Sequence, residues 1–198
     1  MLPHSRWRES NGKIMADKFI KPYVYIVCSL FLMSSFVGYL TPYHYQQEIA
    51  KKLLTYFSPL QSYTQLQLFI KIFLNNYIST LLTLLLGLLF GLGPVIFLTI
   101  NGYTIGNLIS FASSKVGIYK ISLAIIPHGI FEVPAVLIAA SYGLWWGVKN
   151  YRKFRYKDTF LDDFSLPIKR YINIVIPLLV IGAFVEAYIT PFIIRIFI

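Results

Sequence analysis

The sequence predicts an all-α membrane protein: a polytopic bundle of about five transmembrane helices, with amphipathic helices at the interface. Three observations predict it. Of the 198 residues, 57% are hydrophobic and only 13% charged, where a soluble domain has about a quarter charged, and the mean hydropathy is +0.63. The apolar residues gather into runs near the roughly 20 residues that cross a hydrocarbon core as a helix. The 18 Lys and Arg, against 8 Asp and Glu for a net charge of +10, bracket those runs, as cationic loops do when they orient a multi-span protein. Such a composition excludes a disordered chain. The cation placement excludes a nucleic-acid module, which needs its Lys and Arg spread over one exposed face.

Residues 1–21 form a basic leader containing Arg6, Arg8, Lys13, Lys18 and Lys21, and the polar residues before Met15 read as a tail. The first span is 22–40, PYVYIVCSLFLMSSFVGYL, closed by Thr41-Pro42. A basic leader before an apolar run suggests a signal peptide, but the run is long and no small-x-small cleavage site follows, so it reads as a retained anchor. Cys28 within it is the one cysteine, which leaves no disulfide and no cysteine-based metal site.

Residues 43–76 read as interfacial. Ile49, Leu53, Leu54 and Phe57 recur at helical spacing in a polar, aromatic stretch, and Leu66, Phe69, Ile70 and Phe73 share one side of 65–76. The second span, 77–100, has no charge. Its Gly87, Gly91 and Gly93, followed by Pro94, are devices for close packing or bending of transmembrane helices, and the 87/91 pair has GxxxG spacing. Residues 101–117, NGYTIGNLISFASSKVG, are short and polar for a span and read either as a third crossing or as a re-entrant element. The stretch 118–146 is the next span, interrupted by Pro127-His128-Gly129, Glu132 and Pro134; the last, 171–197, carries Glu186 and Arg195. Residues 22–198 are thus one membrane domain.

The charges then select a topology. The leader and the loop holding Lys149, Arg152, Lys153, Arg155, Lys157, Lys169 and Arg170 should both be cytoplasmic. An even number of crossings must separate them, so 101–117 counts as a span. Five crossings leave the carboxyl terminus outside, with Lys51, Lys52, Lys115 and Lys120 facing outward. The chain is expected in the cell membrane, in contact with the lipid bilayer.

Ionisable groups inside a span are costly and call for partners. His128 and Glu132 are four apart, so a continuous helix places them on one face; Gly129 would let another helix approach there, and Asn101 could supply an amide to the same interior. Three readings stay open for Asn101, His128, Glu132 and Glu186: mutual hydrogen bonding that fixes helix register, a site for a substrate, cation or proton, and a metal site. For metal, His128 and Glu132 are suitable but too few ligands, and HxxxE is not the HExxH pair. Ser110, Ser113 and Ser114 lack a nucleophile motif, and no phosphate loop or dinucleotide fingerprint is present, so no cofactor is expected. Asp162 and Asp163, beside Phe160, Phe164 and Pro167, read as a solvated loop near lipid headgroups.

The stretch from Asn75 to Gly147 resembles the stage II sporulation protein M family. The resemblance rests on Asn76 before the apolar run, GLLFGLG at 87–93, Asn101-Gly102 with Gly106, and above all PHGIFEVPA at 127–135. It implies an integral membrane protein of several helices without catalytic activity of its own. In sporulating bacteria the family member works with peptidoglycan-degrading partners during engulfment, yet members occur in organisms that neither sporulate nor build peptidoglycan. The expectation is therefore a non-enzymatic component or scaffold of a membrane assembly, with other membrane proteins or a second copy as partners and no nucleic acid. The competing expectation is a transporter or permease-like subunit that binds a cation or proton at His128, Glu132 and Glu186.

Overall fold

The computed structural model describes the backbone of residues 4–57, 62–156 and 165–197, with side chains at 4–19, 53–54, 56–57, 123–125, 127–128, 194–195 and 197 outside the description. In chain order the helices are α1 (His4–Tyr39), α2 (Tyr43–Phe57), α3 (Gln65–Leu86), α4 (Leu92–Val116) and α5 (Ile118–Tyr156). The final run consists of α6 (Ser165–Arg170), α7 (Ile176–Phe184) and α8 (Thr190–Phe197), joined through π-helical turns at Tyr171–Val175 and Val185–Ile189. No strand occurs among the described residues. Five helical stretches are long and apolar enough to cross a membrane: Ile20–Tyr39, Gln65–Leu86, Leu92–Val116, Gly129–Tyr156 and Ser165–Ile193. The expected fold class and the number of spans hold.

The boundaries of two spans differ from expectation. The run read as a single span over 77–100 is cut at 87–91 by a hairpin turn, because Phe90 (φ 54°) and Gly91 (φ 80°) take left-handed backbone and reverse the chain. Residues 65–76, read as interfacial, are instead the first half of the α3 span. They are joined to it without a break and started by Thr64, whose hydroxyl accepts from the Gln67 amide (3.3 Å) while the Gln67 side chain accepts from the Thr64 amide (2.9 Å). This reciprocal cap satisfies two of the donors that a helix start leaves open. Residues 92–100 belong with 101–116 in one crossing. Residues 101–117 are therefore neither re-entrant nor a span of their own. The polar leader, read as a tail before Met15, is helical backbone from His4.

Missing side chains set the packing. A Cβ at Gly102 would lie 2.7 Å from the Phe31 carbonyl oxygen and 3.0 Å from Ser34 Cβ, and one at Gly106 would strike the Ser35 carbonyl. Helices α1 and α4 thus run parallel in close contact. Gly87 and Gly91 face Gly143 and Gly147 of α5 in the same way: a Cβ at Gly143 would sit 2.9 Å from the Thr83 carbonyl oxygen, and one at Gly147 would meet Gly91 backbone. Small residues let backbones approach where no hydrophobic force drives helices together in lipid. Beside these seams, Leu84, Ala135, Ala139, Tyr142, Trp145, Trp146, Tyr171, Val175 and Leu179 form the larger core, and Val27, Phe31, Leu98 and Ala140 the smaller.

Helix α2 is tied to the bundle. The buried Gln46 amide donates to the Thr41 carbonyl (2.7 Å), the Tyr39 carbonyl (3.2 Å) and Ser110 Oγ (2.9 Å), and Tyr43 stacks on Phe111 with ring centroids 5.7 Å apart.

Candidate functional site

One carboxylate inside the spans, Glu132 on α5, faces the last run, which carries the other, Glu186. Pro127 and Pro134 do not break α5, which stays helical from Ile118 to Tyr156. Glu132 is 7% exposed, and its side chain lies over Gly182 of α7: a Cβ there would be 2.8 Å from Glu132 Cγ and 3.5 Å from Oε1. Gly182 is what makes room for the carboxylate. One turn further, Glu186 sits in the π-helical turn Val185–Ile189. Carboxylate oxygens of both residues, Glu132 Oε1 and Glu186 Oε2, are buried.

The π-helical turn has a visible consequence. An i to i+5 step widens the helix locally, and the Val185 carbonyl receives both the Thr190 amide and the buried Thr190 hydroxyl, the latter at 3.3 Å. Phe184 and Tyr188 stack with centroids 4.9 Å apart on the same stretch. The side chain of His128, expected in the cluster, lies outside the described residues.

Two expected members behave differently. Asn101 is half-buried on α4 and its amide donates to the Phe97 carbonyl of its own helix (2.8 Å). Helix α4 meets α5 through Val133, Val136, Leu137 and Ala140, whereas Glu132 lies on the α7 side, so Asn101 does not join the carboxylates. Among the described residues nothing lies within 4 Å of a Cβ at Gly129, so none of them makes the close approach expected there. Gly93, on α4, packs against Leu86, the last residue of α3, across the hairpin turn. Gly87 and Gly91 lie in the hairpin turn, where Gly143 and Gly147 of α5 approach their backbones. As to metal, no group of three or more His, Cys, Asp or Glu able to hold an ion occurs among the described residues.

Two polar groups escaped sequence reasoning. Asn107 is 1% exposed; its Nδ2 donates to the Tyr103 carbonyl (2.9 Å), while Oδ1 is buried with no hydrogen bond among the described residues. Its place directly after Gly106, in the small-residue face toward α1, was the available signal. The second is Tyr171 OH, which donates to the Tyr77 carbonyl (2.9 Å) and lies 3.0 Å from Thr80 Oγ1. It joins the start of the last span to α3, and no motif in the sequence marks it.

The family model described as stage II sporulation protein M matches residues 27–191. The chain belongs to this family. The match takes in the three middle spans whole, most of the first and last, α2, the glycine seams, Glu132 and Glu186, and leaves the basic leader outside. An uncharacterized protein of Methanocaldococcus jannaschii is 39% identical over 111 residues, half of this chain; the chain spans 58% of that relative's length. No solved structure matches. Membership in the stage II sporulation protein M family, together with five apolar helices, makes this a multi-pass membrane protein.

Proposed function

We propose that the protein is a non-enzymatic component of a membrane-associated assembly, a scaffold that presents fixed surfaces to other membrane proteins or to a second copy of itself. The observation that carries the reading is the glycine-seamed interior. Backbones are pressed together along α1/α4 and α3/α5, and the hydroxyls and amides within the spans bond largely to carbonyls one turn back on their own helices, as Ser34, Thr83, Asn101 and Ser141 do. Such an interior is a rigid support. On this reading Glu132 is a register residue, set over Gly182 to fix α7 against α5.

A second reading has its own observation. Two buried carboxylates on facing helices, one of them in a π-helical turn, are what a transporter subunit would use to hold a cation or proton, since intramembrane carboxylates mark such pathways. Glu132→Gln separates the two, because the amide keeps shape and much of the hydrogen bonding. The scaffold reading expects the variant in proteoliposomes to match the wild type in ion or proton flux, with a lowered Tm as its main effect. Flux that is present in the wild type and lost in a folded Glu132→Gln protein would sink the scaffold reading in favour of transport.

A further inference from the structure

The hairpin turn between α3 and α4 and the end of α5 beside it are not used by either reading. At about 1.5 Å per residue, the 39-residue α5 is about 58 Å long, against a hydrocarbon core of about 30 Å. Its last turns therefore extend past the apolar region, and they are cationic and aromatic in alternation: Tyr151, Arg152, Lys153, Phe154, Arg155 and Tyr156 are all exposed. The hairpin is clamped to this extension. The Asn150 amide donates to the Leu88 carbonyl (3.1 Å), and the Phe90 ring packs 6.2 Å from both Tyr151 and Phe154.

Phe90 is the unusual member. Its φ of 54° is a conformation that a bulky side chain rarely takes, and such outliers persist where the surrounding structure holds them for a purpose. The effect is to join two stretches of opposite character through one aromatic ring. In sequence Phe90 is flanked by the exposed Leu86, Leu89, Leu92 and Ile96, and the Tyr151 and Phe154 that its ring touches are interleaved with the exposed Arg152, Lys153 and Arg155. Tyr151, which the Phe90 ring touches, and Tyr156 carry the amphipathic rings that mark the level of the lipid headgroups.

We propose that this corner is a binding site for one anionic phospholipid, its acyl chains along the exposed leucines of the hairpin and its phosphate at the cations of the α5 extension, with Phe90 between them. Only a ligand apolar at one end and anionic at the other complements both surfaces. A second copy in the same membrane would bring the same cations, an acidic protein would leave the leucines in lipid, and a nucleic acid would leave Phe90 and the leucines uncovered.

The test uses the full chain purified in detergent, incubated with equal mole fractions of phosphatidylglycerol and phosphatidylcholine, with bound lipid read by native mass spectrometry. Phosphatidylglycerol should be retained preferentially. In the triple variant Arg152→Gln, Lys153→Gln, Arg155→Gln, its retention should fall by about fivefold for each cation removed, while phosphatidylcholine is unchanged. Phe90→Gly relieves the left-handed backbone while giving up the ring contacts with Tyr151 and Phe154, so that protein should still fold, with a cooperative thermal transition, and retain less phosphatidylglycerol. Equal retention of the two lipids, or a preference unchanged in either variant, overturns the proposal. Displacement of phosphatidylglycerol by millimolar inorganic phosphate overturns the lipid assignment as well.

Discussion

Gly106 and Gly129 place opposite demands on their surroundings, although both lie in small-residue contexts in the sequence. A methyl group at Gly106 strikes the Ser35 carbonyl across the α1/α4 seam, whereas one at Gly129 meets open space. Gly106→Ala should therefore destabilise by about 1–3 kcal/mol, the usual cost of overpacking, and lower the Tm in detergent by several degrees. Gly129→Ala should leave the Tm unchanged or raise it, since Ala is the better helix former by up to about 1 kcal/mol. A fall for Gly129→Ala equal to that for Gly106→Ala would mean that a helix approaches α5 there. At this scale the 87/91 spacing was legible because both glycines stand in one apolar run of the sequence, although they lie in the hairpin turn and not along one helix. Its counterpart at Gly143 and Gly147 was not, because the match exists only once α3 and α5 are side by side. Gly182 was illegible for the same reason, being recognised only by the Glu132 side chain that fills its place.

Hydropathy finds apolar residues but not where the backbone reverses among them. The hairpin at 87–91 depends on the φ angles of Phe90 and Gly91, inside a run of leucines that reads equally well as one helix, which is why the second and third spans were displaced by half a helix while their number was right. Lys71, Asn75 and Asn76 made the first half of α3 read as a surface segment, although all three are compatible with the outer turns of a span. The amphipathic pattern of 43–57 did identify α2, but its attachment rests on one buried amide, Gln46, which bonds to two carbonyls at the end of α1 and to Ser110 of α4. Gln46→Leu leaves those carbonyls without their donor. Amide hydrogens of α2 should then exchange at least about fivefold faster, corresponding to the roughly 1 kcal/mol of one net hydrogen bond, while those of α5 keep their wild-type rates. Unchanged exchange in α2 would assign its anchoring to the Tyr43 and Phe111 stack instead.

Across the whole molecule, the helix pairing sets which ends lie together. Because α1 runs parallel to α4, and α3 parallel to α5, the start of the α1 span, the hairpin at 87–91 and the end of α5 share one end of the bundle; Ile20 and Tyr23 pack there against the same core as Trp145 and Trp146. The segment around Thr41, α2 and the end of α4 share the other. We propose, from the positive-inside rule, that the first end is the cytoplasmic one; at the opposite end Lys115 Nζ lies 5.6 Å from the Tyr43 ring and 5.9 Å from the Phe111 ring. The orientation can be read directly from labelling, since Cys28 is the one cysteine and can be replaced. In a Cys28→Ser background, Lys52→Cys on α2, where the native side chain is 75% exposed, should react with a membrane-impermeant maleimide applied to intact cells. Arg155→Cys on the α5 extension should react only after the membrane is opened. Labelling of Arg155→Cys from outside with Lys52→Cys protected would invert the orientation and move the proposed lipid site to the outer leaflet; labelling of both from outside would reduce the crossings between them to an even number, contrary to the helix pairing.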